Sequence, residues 1–207
     1  MQIHESRLIF DISDAFMPVK FDETSFYKQK YNKFSYSKGV DIVFFDEDSI
    51  CLMEIKNCKG FEKENEWRLK PNNNQRVGTK QTVNGEEQTI YQIEYSLDDE
   101  VVSKVSNTLA CFFGASTKSD LQTSIEQLSP YWIRLRDKRI KEDARKIRVI
   151  VFVEGEFGHK RQDIDEIFTR LRDSLKQKSA WLNCTISIEN SSKNNGRFYT
   201  VRVDETK

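Results

Sequence analysis

Residues 38–59 read KGVDIVFFDEDSICLMEIKNCK, and the reading of the whole chain turns on them. Two apolar runs, Gly39 to Asp46 (GVDIVFFD) and Ile50 to Cys58 (ICLMEIKNC), flank the polar pair Glu47-Asp48. Runs rich in Val, Ile and Phe on either side of a short polar tip predict a β-hairpin. Three charges interrupt these strands: Asp41 on the first, Glu54 and Lys56 on the second. Side chains alternate along a strand, so Glu54 and Lys56 share a face and Ile55 points the other way. A turn centred between Glu47 and Asp48 pairs residues whose numbers total 95, which sets Asp41 opposite Glu54. Directly opposed residues project to one face with Cβ atoms roughly 5 Å apart. The pattern therefore brings two carboxylates and an ammonium to one spot of an apolar sheet.

Two carboxylates that close repel, and one tends to protonate unless a cation lies between them. A hard divalent ion such as Mg2+ or Mn2+ prefers carboxylate and water oxygens and relieves that repulsion. Such an ion polarises a phosphoryl oxygen and acidifies water. Lys56 is placed to orient or deprotonate the attacking water and to stabilise charge developing at phosphorus. The competing reading is a structural salt bridge, with Lys56 merely neutralising Glu54 or Asp41 in a partly buried sheet.

Outward from the hairpin, Ser6 to Ser13 (SRLIFDIS) reads as a first strand. Asp22 reads as the N-cap of a helix reaching Phe34, with Tyr27, Tyr31 and Phe34 on one face. Residues 59–90 form a polar excursion or hairpin insertion. Asn84-Gly85 is its turn signal, and a strand from Gln88 to Tyr95 ends it. From Leu97 the period becomes helical, with Leu97, Val101, Val105, Leu109 and Phe112 on one stripe. Ser119 to Leu128 and Tyr131 to Arg139 read as further helix broken at Pro130. Lys146 to Glu154 is a buried strand, Asp163 opens a helix through Leu175, and Cys184 to Glu189 and Phe198 to Val203 close the chain, read as a hairpin through Asn195-Gly196. The run suits a single α/β (mixed α+β) domain over residues 1–207, a central mixed sheet flanked by helices.

Composition excludes more than it assigns. With 33 Lys+Arg against 33 Asp+Glu among 207 residues, net charge does not single out a polyanionic partner. Cys51, Cys58, Cys111 and Cys184 are widely spaced, and only His4 and His159 accompany them, which leaves a zinc site without support. Free thiols and the lack of a signal-peptide pattern lead to the expectation of a cytoplasmic protein with no membrane segment. No glycine-rich phosphate loop is present. Arg134 to Arg148 (RLRDKRIKEDARKIR) carries eight basic residues against three acidic ones, directly after Tyr131 and Trp132. Arg134, Arg136 and Arg139 are its candidate phosphate contacts, against the plainer reading of a solvated helix face.

The hairpin with its D…ExK pattern resembles that of the PD-(D/E)xK, or restriction-endonuclease-like, nuclease superfamily, and more narrowly a group of small bacterial members. These share an F-D-D/E…F-Y stretch, matched by Phe21, Asp22, Glu23, Phe26 and Tyr27. They also share a D-E-V-x-x-K-V-x-x-T-L helix, matched by Asp99, Glu100, Val101, Lys104, Val105, Thr108 and Leu109. The resemblance covers about the first 115 residues. It implies a restriction-endonuclease-like sheet and a Mg2+-dependent nuclease acting on DNA in preference to RNA, in prokaryotic defence or genome maintenance. It further implies a metal held by Asp41, Glu54 and the Ile55 carbonyl, with Glu23 as an added ligand, Lys56 catalytic, and Lys104 near the bound nucleic acid. Val40 stands in place of the proline and Asn57 in place of a frequent aspartate. The alternatives are an inactive nuclease-fold subunit that binds nucleic acid or scaffolds a complex, alone or with a protein partner or second copy, and an unrelated α/β protein whose charge cluster is structural.

Overall fold

The computed structural model describes residues 1–33, 37–46, 49–83, 86–118, 127–136, 147–158 and 161–205. Its strands are β1 (Gln2–Glu5), β2 (Leu8–Ile12), β3 (Val19–Lys20), β4 (Ile42–Asp46), β5 (Ser49–Asn57), β6 (Gln75–Val83), β7 (Glu86–Glu94), β8 (Ile147–Glu154), β9 (Cys184–Glu189) and β10 (Tyr199–Val203). Its helices are α1 (Ser25–Gln29), α2 (Glu62–Asn65), α3 (Leu97–Ser116), α4 (Ser129–Arg136) and α5 (Arg161–Lys178).

The central sheet runs β3-β4-β5-β8-β9. β4 and β5 are antiparallel in the expected register, from Ile42 opposite Met53 to Asp46 opposite Ser49, while β5 and β8, and β8 and β9, are parallel. Alternation divides the sheet into two faces. Val43, Ile50, Leu52, Val149 and Val151 join Leu97, Val101, Val105, Phe112, Tyr131, Phe168 and Leu171 in a core beneath the helices. Ile42, Phe44, Met53, Ile55 and Phe152 face a second sheet, β1-β2-β10, through Phe10, Ile12 and Tyr199. One mixed α+β domain of three layers results: helices, five-stranded sheet, three-stranded sheet. No described helix is long and apolar enough to cross a membrane.

Several local readings give way to tertiary ones. The strand read over Ser6 to Ser13 is present as β2, and β1 before it, joined at Ser6-Arg7, makes it half of a hairpin. The helix expected from Asp22 begins only at Ser25, because Thr24 holds an extended conformation between a 3-10 turn and α1; Phe34 lies outside the described residues. Pro130 sits in the first turn of α4, where its missing N–H has no helical partner to lose; of the helix read over Ser119 to Leu128, residues 119–126 lie outside the described residues. β10 pairs with β2 rather than β9, because Tyr199 completes the core between the two sheets. The excursion carries the hairpin of the insertion reading, β6 with β7, whose first strand, Gln75–Val83, had no bounds from the sequence.

Candidate active site

Asp41 is placed by its backbone as much as by its strand. It precedes β4, its N–H donates to the Met53 carbonyl (3.1 Å), and its carbonyl accepts from the Phe21 N–H (2.9 Å). Gly39 lets the chain pass close under Phe21: a Cβ there would come within 2.3 Å of that ring. The Val40 N–H donates to Thr108 Oγ1 on α3 (3.0 Å), tying this strand entry to the helix above. The Asp41 carboxylate then splits its work. Oδ2 accepts the Ile55 N–H (2.7 Å), and Oδ1 lies 3.5 Å from Lys104 Nζ.

Glu54 projects from β5 toward α3 and is 0% exposed. Lys104 Nζ donates to both its oxygens, at 2.7 and 2.8 Å. Both carboxylates thus meet one ammonium, and their nearest oxygens are at most ~6.2 Å apart, the two contact distances laid end to end. Lys56, two residues along β5 on the same face, bridges Glu54 Oε1 (3.0 Å) and Glu100 Oε1 (3.0 Å). Glu100 also takes Arg68, from the turn after α2. Three carboxylates (Asp41, Glu54, Glu100) therefore interlock with three cations (Lys56, Lys104, Arg68). The cluster is deepest at Glu54 and opens to solvent at Lys56 and Arg68, whose side chains are 23% and 28% exposed.

The electrostatics follow from that depth. Burial, then the Asp41 charge, pushes the Glu54 carboxyl up to about 7, with Lys56 and Lys104 only partly opposing. Burial likewise raises Asp41, offset in part by Lys104 and the Ile55 N–H. Burial works against the Lys104 ammonium, yet Glu54 and Asp41 outweigh it and hold its pKa above the ordinary value. Burial also opposes Glu100, but Lys56, Arg68 and Lys104 keep its carboxyl below the ordinary range. These groups titrate as one system, in which the labile proton near neutral pH sits on a carboxylate.

The donor chemistry suits a hard cation: two carboxylates already converge on a positive charge, with the Ile55 backbone beside them. Among the described residues no three acidic, histidine or cysteine side chains form a ready-made metal cage. The place the carboxylates share is filled by Lys104. Lys104, expected on the helix after the hairpin and near the site as a nucleic-acid contact, lies inside the cluster and is 8% exposed.

Glu23 and Arg136 make their contacts elsewhere. Glu23 is exposed and paired with Lys20 (3.1 Å). Its neighbour Asp22 is the acid of that segment that feels the Lys104 charge, although burial is the larger influence on it. Arg134 and Arg136 lie on α4, with the Arg136 guanidinium 5.6 Å from the centre of the Trp132 ring. Arg139 lies outside the described residues. Arg148 turns to the opposite face of the sheet, on β8, and pairs with Asp46 (3.0 Å); residues 137–146 of the basic run lie outside the described residues. Tyr131, one of the two aromatic residues before that run, is core: it stacks between Phe45 and Phe112, with ring centres 4.7 and 5.4 Å away. Glu100 and Arg68 were not singled out as site residues from the sequence. The available signal was Glu100 and Lys104 four residues apart along the buried stripe of α3.

A family model described as a family of unknown function (DUF6661) matches residues 24–203. No curated protein and no solved structure matches the chain.

Proposed function

The chain belongs to the DUF6661 family, and we propose that it is a divalent-metal-dependent nuclease of restriction-endonuclease-like fold, hydrolysing phosphodiester bonds of DNA in preference to RNA. The observation that carries this reading is the convergence of Asp41 and buried Glu54 on one cation, with Lys56 next along the same strand face. The fold supports it: the strand bearing Glu54 and Lys56 lies in the middle of a mixed sheet, antiparallel to the strand that follows Asp41.

Asp41 Oδ1, Glu54 and the Ile55 carbonyl would hold a Mg2+ or Mn2+ ion once Lys104 yields its place. Such an ion supplies Lewis-acid polarisation of a phosphoryl oxygen and acidifies water. The chain's own residues do the rest. The Ile55 N–H fixes Asp41 Oδ2, so that Oδ1 keeps its direction. Glu100 holds Lys56 at the solvent end of the cluster. From there its ammonium meets charge that develops on the phosphoryl oxygens, in a partly water-excluded place where that charge is stabilised more than in bulk water. Arg68, on the other Glu100 oxygen, adds a second positive group at the mouth.

The test is purified protein with supercoiled plasmid, linear duplex and single strands, each in Mg2+, Mn2+ or EDTA. Metal-dependent cleavage that is lost with Glu54→Gln is expected. A second reading draws on Lys104: because it already satisfies both Glu54 oxygens, the cluster could serve a non-catalytic subunit of the same fold. In that case Mn2+ would leave the melting temperature unmoved, and no substrate would be cut.

A further inference from the structure

The ribbon β6–β7 stands away from both cores. Every described residue of it from Gln75 to Thr82 and from Glu87 to Glu94 is exposed except Val77, which is half-buried. A lone two-stranded hairpin is marginally stable in water. This one nevertheless displays Ile90, Tyr91 and Ile93 to solvent, with Tyr95 following.

Its register sorts the side chains. Gly78 lies opposite Tyr91 and Arg76 opposite Ile93, so Arg76, Gly78, Lys80, Tyr91 and Ile93 share one face. The other face carries Gln75, Gln81, Gln88, Gln92 and Glu94, with Val77, Thr79 and Ile90. Both cations and the aromatic ring of the paired strands are thus on one side. On that side the Arg76 guanidinium lies 4.2 Å from the centre of the Tyr91 ring. Gly78 makes room for the ring: a Cβ there would come within 3.0 Å of it. Lys80 is bonded to Glu87 (3.0 Å), which leaves Arg76 as the main source of positive charge.

The ribbon's root is next to the charge cluster. Asn74 accepts the Ser96 N–H (2.8 Å) and donates to Asp99 (2.7 Å), and the Ser96 carbonyl caps the Glu100 N–H (3.0 Å). One helical turn therefore separates the base of the ribbon from Glu100. Nine residues per strand at about 3.4 Å each give an arm roughly 30 Å long.

We infer that β6–β7 is a nucleic-acid-gripping arm whose Arg76–Tyr91 face holds the strand presented to the Asp41–Glu54 cluster; for its ligand this rests on the nuclease reading. A guanidinium layered on an aromatic ring offers stacking for bases and a fork for phosphate. A two-stranded ribbon also fits the major groove of a duplex, about 12 Å wide. A second copy of the chain is the poorer occupant, because the exposed apolar side chains are split between the two faces and interrupted by glutamines.

The test measures binding of fluorescein-labelled single-stranded and duplex oligonucleotides in EDTA, where no metal-dependent cutting interferes. Arg76→Gln combined with Tyr91→Ala should weaken binding at least about tenfold and flatten its salt dependence, because a lost phosphate contact releases fewer counterions. Gly78→Ala, which pushes the Tyr91 ring aside, should weaken it less. Thermal melts should match the parent's, since the ribbon belongs to neither core. Unchanged affinity in the double variant, or a parent that binds no oligonucleotide, overturns the arm. So does a parent dimer in sedimentation that the double variant dissolves, which would give the face to a second copy. A parent that binds oligonucleotide but cuts nothing in Mg2+ or Mn2+ removes the nuclease reading and leaves the arm standing.

Discussion

Two carboxylates of this protein, Glu54 and Asp98, are equally buried, each at 0% exposure, and each is bonded to lysine. Their surroundings are opposite. Asp98 accepts from the Ser96 hydroxyl (2.6 Å), the Ser174 hydroxyl (2.7 Å) and the Asn72 N–H (3.2 Å), and pairs with Lys178 (2.7 Å). Burial opposes its charge, but those donors outweigh burial and hold its carboxyl below the ordinary range. At Glu54 burial first, and then the charge of a second carboxylate, Asp41, push the carboxyl up, and its two ammonium neighbours only partly oppose them. Asp98 shows how this fold satisfies a buried acid, joining α3, α5 and the loop before β6 through hydroxyl, backbone and ammonium donors. At Glu54 the same fold accepts like-charge repulsion that hydroxyls would have avoided. A cation of higher charge relieves that repulsion, and perturbed groups of this kind gather at functional sites.

The sharpest way to break this contrast is Lys56→Met, which keeps the apolar stem and removes the ammonium. Single-turnover cleavage should fall by about two orders of magnitude or more. Metal and oligonucleotide should still bind, because Asp41 and Glu54 are untouched. Melts on the same preparation separate chemistry from folding. A stable variant that cuts at the parent's rate would take Lys56 out of the mechanism and weaken the nuclease assignment with it.

Asp98→Ala tests the other pole. Removing one partner of a buried pair costs roughly 3 kcal/mol, or about 6 to 12 °C in Tm for a domain of this size. Cleavage per folded molecule should not change. Glu54→Gln should destabilise less at neutral pH, because Lys56 keeps Glu100 and Lys104 keeps Asp41. If the two substitutions cost the same, Glu54 is a structural acid like Asp98.

Lys104→Met asks whether the resident ammonium competes with a metal. Calorimetry with Mn2+ should show affinity higher by about tenfold, near 1.4 kcal/mol, since the two carboxylates lose the cation that now occupies their shared space. Weaker binding would instead make Lys104 a support that keeps the carboxylates in place.

The Asp41–Glu54 half of the cluster was legible in the chain because it depends on one hairpin. Period-two alternation and a two-residue tip fix which residues oppose, and the observed pairs keep the expected register. Glu100 and Arg68 were not, because they come from α3 and from the turn after α2, and which helix crosses a strand end is decided by packing. Lys104 was legible from the helix motif of the resemblance but not from periodicity, where it is one polar residue within an apolar stripe whose direction depends on how α3 rolls against the sheet. The same limit explains β10. Asn195-Gly196 is a sound local turn signal, yet the strand after it finds β2, some 190 residues away in sequence. The bounds of β6 were not legible for a different reason: neither face of the ribbon is buried, and its polar first strand lacks the Ile-Tyr-Gln-Ile run that marks β7. The restriction-endonuclease-like reading came from the match of several short motifs rather than from periodicity, and the cleavage assays above bear on it directly.

The smallest effect expected is the pH dependence of stability, where the two acids should differ in sign. The Glu54 carboxyl stands at about 7 in the folded chain against an ordinary value of 4.5. The folded state therefore holds that proton more tightly, and linkage makes the contribution full below about 4.5 and lost as pH rises through about 7. Asp98 is depressed below its ordinary 3.8, so its contribution is present above that value and lost as pH falls below it. Melts of the parent across pH 3 to 8 should show both limbs. Glu54→Gln should remove the decline between about 4.5 and 7, and Asp98→Asn should remove the acid limb. An ion held as proposed needs Glu54 ionised, so Mn2+ should stabilise the parent more at pH 8 than at pH 5 and should lose that difference in Glu54→Gln. If Mn2+ shifts the melting temperature equally at both pH values, the ion binds somewhere other than Glu54, and the contrast between the two buried acids is one of solvation alone.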